Sequence, residues 1–145
     1  MLELPIRILF EDLPFPSYAH DGDAAADLVA AQNVTLLPAG GRALVPTGVV
    51  VAIPNVFAGF VQPRSGLALR HGVTCLNTPG LIDPGFRGEL KVLLVNTDPV
   101  EPFEVVRGER IAQLVVQRVE VCRFVRVENL PDSERGEGGF GSTGR

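Results

Sequence analysis

The stretch RALVPTGVVVAIP, residues 42–54, decides the fold. Its apolar residues come in short, Val-rich runs with a period near two, and Pro and Gly punctuate them. That is the pattern of strands with turns, not of a helix, whose apolar residues recur three and four apart. Working outward, the same pattern returns in FAGFVQP (57–63), ELKVLLVN (89–96), FEVVRGERIAQLVVQRV (103–119) and VCRFVRVEN (121–129), each reading as strands of roughly 4–8 residues. Pro54, Pro63, Pro79, Pro84, Pro99 and Pro102 fall between the runs, where a missing backbone donor does little harm. Only AAADLVAAQ (24–32) and SGLALRHG (65–72) have room for a turn or two of helix. Many short strands with little helix predict an all-β chain, a sandwich or barrel of the jelly-roll kind.

The bulk composition narrows the function classes. At 145 residues the chain fits one domain that can bury its own core. Hydrophobic content is 46% and charged content 21%, ordinary for a globular chain, while 16 Gly and 12 Pro predict many turns. A net charge of -4 argues against a non-specific nucleic-acid or membrane-surface binder, so neither partner is expected. The basic residues are 12 Arg and a single Lys, Lys91, and Arg favours planar, bidentate recognition of phosphate and carboxylate. Cys75 and Cys122 form no C-x-x-C and read as buried free thiols in a reducing compartment. The start, MLELPIRILFEDL, mixes charges into its apolar residues and is no signal peptide, and no apolar run approaches about 18 residues. A cytoplasmic protein is the expectation.

Five segments carry chemistry. In PRSGLA, 63–68, Ser65 and Gly66 can open a short helix whose free N–H groups face an anion, with Arg64 as a planar cation; the alternative is a Ser-capped turn with a surface Arg. In NTPGLIDPGFRGELK, 77–91, Asp83 sits in an apolar setting beside Pro84, where a carboxylate can orient and deprotonate a water, or can simply close an Asx turn. Phe86 either joins the core or walls a pocket. In RGERIAQL, 107–114, Gln113 interrupts an apolar strand, and a buried amide there must be satisfied by backbone or face a ligand. The G-K-[ST] of a Walker A loop is absent. In AAADL, 24–28, the lone Asp27 is either a cap or turn residue or holds waters around a hard cation. The tail RGEGGFGSTGR, 135–145, cannot build a core, yet it combines an Arg, accessible Gly N–H groups, two hydroxyls and one aromatic, a set suited to phosphate oxygens and a base.

Taken in order, AAADL, PRSGLA, GLIDPGFRGE, RGERIAQL and RGEGGFGSTG resemble the five motifs of the homotrimeric dUTP pyrophosphatase (dUTPase) family of the bacterial type, from about Pro16 to the C-terminus. The resemblance implies a distorted jelly-roll β-barrel over residues 1–131 and a mobile Gly-rich arm, 132–145, that closes over a neighbour's site. It implies hydrolysis of dUTP to dUMP and pyrophosphate with Mg²⁺, which removes dUTP from the nucleotide pool and supplies dUMP. It also implies three active sites shared between subunits of a homotrimer. By similarity, Asp83 is the general base for in-line water attack at the α-phosphorus and meets the deoxyribose 3′-hydroxyl. Arg64, Ser65, Gly66 and Gln113 match phosphate binders, and Asp27 holds waters on a Mg²⁺ that the triphosphate chelates. Asn77 and the backbone of Leu81, Ile82 and Asp83 line the uracil hairpin, with no room for thymine's methyl and the wrong donor pattern for cytosine. Lys91 matches a substrate contact made through backbone. Arg135, Ser142 and Thr143 match binders of the β- and γ-phosphates, and Phe140, with Gly141 beside it, matches the stacking position on uracil.

One position departs from the family. Phe86 stands where a Tyr is usual, so the aromatic wall against the sugar persists without its phenol hydrogen bond. The dCTP deaminase family shares the fold and resembles the chain around PRSGLA. In that family the strand after the hairpin carries a catalytic Glu, and the matching position here is Leu93, so the acid–base group of deamination is missing.

Overall fold

A computed structural model describes residues 2–139. Phe140, Gly141, Ser142 and Thr143, all expected at the substrate, lie outside the described residues. Among the described residues the regular structure is ten strands and one short helix. In order, the elements are β1 (Ile6–Ile8), β2 (Ala26–Val29), β3 (Val34–Leu36), β4 (Gly41–Val51), β5 (Phe57–Pro63), α1 (Ser65–His71), β6 (Val73–Cys75), β7 (Gly80–Ile82), β8 (Glu89–Asn96), β9 (Phe103–Val105) and β10 (Arg110–Arg118). They form two four-stranded sheets, ordered β1-β4-β8-β6 and β2-β10-β5-β7, and a two-stranded β3-β9 ribbon. Every pairing is antiparallel. This is the all-β, jelly-roll-like architecture the sequence predicts.

The two sheets share one core. Along β8 the period of two sends Leu90, Val92 and Leu94 inward, each 1% exposed, and leaves Lys91 on the outer face. They pack with Val45, Val49 and Val51 of β4 and, from the other sheet, with Leu28, Val61, Ile111 and Leu114. Full burial of a side chain of this size contributes roughly 1.5–3 kcal/mol. The pairing of β4 with β8 slips between Pro46 and Val50. Gly48 sits in that bulge at φ 72°, a left-handed conformation that glycine adopts without strain, and its N–H donates to a Glu89 carboxylate oxygen at 2.8 Å. Pro46 is thus tolerated inside the longest strand because the ladder is already interrupted there.

Asn96, at the end of β8, is fully buried and fully used. Its amide nitrogen donates to the Leu36 and Glu101 carbonyls, and its oxygen accepts the Asp98 N–H. Asp98 in turn accepts the N–H groups of Val100 and Glu101, which hold its carboxyl below the usual carboxylate range.

Three expectations are corrected. AAADLVAAQ is not helical: Ala26–Val29 is β2, buried on both faces between neighbours, and pairing with β10 outweighs the helix preference of its alanines. VCRFVRVEN forms no strand among the described residues, and each of its residues is exposed. Its alternating pattern needs a partner edge, and β10 has already ended at Arg118. Cys122 lies on this segment and is therefore exposed, whereas Cys75 is buried as expected; both are free thiols.

Burial pushes the Cys75 thiol up from 9.0 to about 11. The unfolded chain loses that proton at lower pH than the folded one, so the contribution is complete below pH 9.0 and is lost as pH rises toward about 11. We expect urea-unfolding stability to fall by about 2–3 kcal/mol more in the native chain than in Cys75→Ala across this window. Identical pH profiles for the two proteins would contradict the assignment.

Candidate active site

The predicted residues gather at two places. The first is built where β2, β10 and β5 lie side by side. Gln113 of β10 stands opposite Asp27 of β2 on one edge and Gln62 of β5 on the other. Ala112 is opposite Pro63, so Arg64 follows at once. Asp27 is neither cap nor turn: it is a buried strand residue whose N–H donates to the Ser17 carbonyl at 2.9 Å. Its carboxylate is surrounded by cationic and amide donors. Arg110 Nη1 donates to Oδ2 at 3.3 Å, Gln113 Nε2 to Oδ1 at 3.5 Å, and Arg64 Nε lies 3.3 Å from Oδ1. The angle of that last contact makes it an ion pair but no hydrogen bond, and Arg64 Nε has no hydrogen-bond partner among the described residues. Arg64 Nη1 donates to the Arg110 carbonyl at 3.4 Å, tying the two arginines to each other. Arg64 and Arg110 then border a cleft of about 410 Å³ with Leu67, His71, Phe103 and Glu109.

Ser65 and Gly66 open α1, as the sequence predicts, but Ser65 is not its cap. Arg64 holds the N-cap position, in extended conformation and with no side-chain capping bond. The first backbone donors to find a helical acceptor are Leu67 and Ala68, both to the Arg64 carbonyl. The N–H groups of Ser65 and Gly66 are therefore free of the helix ladder, beside the arginine pair. At the other end Gly72 takes a left-handed φ of 63° and closes the helix onto the carbonyls of Leu67 and Ala68.

The second place is the hairpin that β7 opens. Asp83 follows β7 directly, and the turn is closed by its backbone: Phe86 N–H donates to the Asp83 carbonyl at 3.1 Å. Among the described residues its carboxylate accepts no hydrogen bond, so the Asx turn is not formed and the acid is exposed. Arg87 braces the turn by donating to the carbonyls of Pro84 and Phe86. Asp83 opens into a cleft of about 520 Å³ with Leu81, Ile82, Phe86, Glu89 and Lys91. Phe86 is a wall residue here, 41% exposed, and not part of the core. Lys91 arrives on the outer face of β8, 3.9 Å from Glu89. Asn77 is exposed at the start of the hairpin, and Gly80 lies close to its amide.

Within one protomer these two places are far apart. β5 pairs Gly59 with Ile82 and runs antiparallel to β7, so Asp83 continues the ladder beside Ala58, whereas Arg64 lies beyond the opposite end of β5. From Ala58 to Arg64 is six residues, about 20 Å at the rise of an extended strand. Arg135 joins neither group. Its Nε donates to the Gly138 carbonyl at 2.7 Å, within its own segment.

Arg110 is the residue that sequence reasoning missed. Residues three apart on a regular strand point to opposite faces, so Arg110 and Gln113 do not read as partners. The register of β10 against β2 shifts between Arg110 and Ala112, and this irregularity brings both side chains to Asp27. No pattern of apolar spacing announces such a shift.

Comparison with known proteins supplies a family. The family model described as dUTPase matches residues 11–144. A deoxyuridine 5'-triphosphate nucleotidohydrolase of Thermobifida fusca is 59% identical over 143 residues, covering 99% of this chain and 79% of the relative. The Staphylococcus bacteriophage 80alpha dUTPase, solved with dUPNHPP, superposes with a TM-score of 0.92 at 28% identity, covering 100% of both chains. A mutant dUTPase from phage phi11 of S. aureus, described with a coordinated structural Mg(II) ion, shares the fold with a TM-score of 0.83 at 24% identity, over 90% of this chain and 100% of that one.

The Asp27 cluster makes a clear stability prediction. Asp27 has a side chain 10% exposed and serves two cations, while Arg110 is half exposed and leaves Arg64 in place when removed. We expect Asp27→Ala to cost roughly 2–4 kcal/mol in urea unfolding, and Arg110→Ala less than about 1 kcal/mol. Equal losses in the two variants would refute the asymmetry.

Proposed function

This chain belongs to the dUTPase family and hydrolyses dUTP, and we propose that it does so as a threefold homotrimer in which each site combines the Asp83 cleft of one protomer with the Asp27–Arg64 cluster of another. The observation that carries this reading is the length of β5. An acid that activates water at the α-phosphorus must stand within a few ångströms of the phosphates, and Asp83 is about 20 Å along the strand from its own Arg64. A cyclic assembly brings the missing half from the next copy. The exposed apolar residues Val121, Phe124, Val125 and Leu130 follow one another closely along a segment that pairs with no described strand of its own protomer, and covering them in an assembly would support the same reading.

In this reading the products are dUMP and pyrophosphate. Asp83 takes the proton of the attacking water and meets the 3′-hydroxyl, with Phe86 as the wall against deoxyribose. Asn77 and the backbone of Leu81–Asp83 read the uracil edge, and Lys91 closes the cleft from β8. Arg64, Gln113 and the N–H groups of Ser65 and Gly66 hold the phosphates, so the donors that the helix leaves unpaired acquire acceptors. The protein contributes positioning and charge stabilisation. Residues 132–145 form an arm beside the barrel domain of 1–131. Arg135, Phe140, Gly141, Ser142 and Thr143 of the arm complete the phosphate and base contacts. Water other than the nucleophile is then excluded.

The donor set fits a Mg²⁺ carried by the triphosphate. No group of three metal-ligating side chains exists among the described residues, and a hard cation bound mainly by phosphate needs none. Both Asp27 oxygens already face donors, and the acceptor capacity that remains on them could take a bound water. When bound, the ion neutralises charge on the phosphates. The enzyme works in the cytoplasm, where its nucleotide pool lies; among the described residues no helix is long and apolar enough to cross a membrane.

Pyrophosphate release from dUTP, dCTP, dTTP and UTP, compared side by side with Mg²⁺, tests the reaction. Release from dUTP alone is expected, and equal release from UTP would contradict the sugar wall. Subunit sharing is tested by mixing. Asp83→Asn and Arg64→Ala proteins, each nearly inactive, are denatured together in equal amounts and refolded. Random cyclic trimers then restore one site in four, so about a quarter of wild-type activity should return. If mixed and unmixed samples are equally inactive, the site is not shared in this way.

A further inference from the structure

We propose that Gly88 sets the sugar selectivity of the dUTP reaction by giving the Phe86 ring a bare stretch of backbone to lie on, an inference that rests on the reading of Phe86 as the deoxyribose wall. Phe86 and Gly88 both line the Asp83 cleft. A Cβ added at Gly88 would stand 2.7 Å from Phe86 Cζ and 3.0 Å from Cε2, closer than carbon atoms approach. No other residue lies among its nearest atoms. The backbone at Gly88 is not in the left-handed region, so alanine fits its conformation without strain. A methyl here therefore meets the ring first.

The ring is also free to respond. Its backbone is fixed by the bond from Phe86 N–H to the Asp83 carbonyl and by the Arg87 guanidinium on the carbonyls of Pro84 and Phe86. The side chain is 41% exposed and can rotate about χ1 and χ2. A methyl on residue 88 therefore turns the ring off its seat and leaves the loop where it is. Gly85, in the same turn, provides the control. It too avoids the left-handed region, and a Cβ there meets nothing within 4 Å. Both substitutions restrict the unfolded chain alike, so they differ only in their effect on the ring.

The test compares kcat/KM for dUTP and for UTP in the full chain, in Gly88→Ala, Gly85→Ala, Phe86→Ala and the double variant Phe86→Ala/Gly88→Ala. We expect Gly88→Ala to lower the dUTP-to-UTP preference by about tenfold, the size of a one-carbon misfit in a pocket. Gly85→Ala should leave the preference unchanged, and the double variant should match Phe86→Ala alone. If Phe86→Ala lowers the preference and Gly88→Ala does not, the role of Gly88 is overturned while the wall stands. If Phe86→Ala itself leaves the preference unchanged, the wall reading fails first. A double variant markedly less selective than Phe86→Ala would show that residue 88 acts without the ring, and would equally overturn the proposal. That comparison holds even if Gly88→Ala alone folds poorly.

Discussion

A β-strand paired on both edges cannot shorten, and β5 is such a strand. Its residues 57–63 are laddered to β10 along one side, and Gly59, Phe60 and Val61 are laddered to β7 along the other. The two groups of candidate site residues hang from its two ends. The hairpin with Asp83 leaves from the level of Ala58, and the arginine cluster begins one residue after Pro63. The separation between them is thereby set by backbone geometry and not by side-chain choice. A fold of this kind can bring the two ends together only through symmetry, by repeating itself around an axis. If the proposed pairing of Asp83 with the Arg64 cluster holds, oligomerisation is a requirement of the active-site geometry, not an addition to a finished enzyme.

The Asp27 cluster shows how an acidic chain gathers positive charge. The protein carries a net charge of -4, yet Arg64 and Arg110 converge on one carboxylate. Without Asp27 the two guanidinium groups would repel each other. With it they keep one net positive charge between them and a defined orientation. Gln113 adds a neutral donor to the same oxygen that faces Arg64. The arrangement is one of long contacts, 3.3–3.5 Å, and contains no short, strong bond that an incoming anion would have to break.

Much of this was legible in the residues. Period-two, Val-rich runs mark β4, β5, β8, β9 and β10, and Ser65-Gly66 marks the opening of α1. The turn at Asp83 was also expected, although its carbonyl and not its carboxylate closes it. What was not legible depended on neighbours distant in sequence. Ala26–Val29 has a composition that suits a helix, and only its place beside β10 makes it a strand. Arg110 reaches Asp27 through a register shift that leaves no trace in apolar spacing. Residues 121–129 carry a clear strand pattern that a single chain leaves without a partner. In each case the local signal was sound, and a long-range pairing, present or absent, decided the outcome.

The two cysteines give the molecule an unequal pair of chemical handles. Thiol reagents attack the thiolate, and the Cys75 thiol is both buried in the core and held protonated. Cys122 stands alone on the exposed segment that links the barrel to the Gly-rich arm. A folded protomer therefore offers one addressable sulfur for a fluorophore or spin label, without any engineered cysteine. Its position makes it a native reporter of what happens between the end of β10 and the arm. Its rate of modification measures directly how far that linking segment is covered.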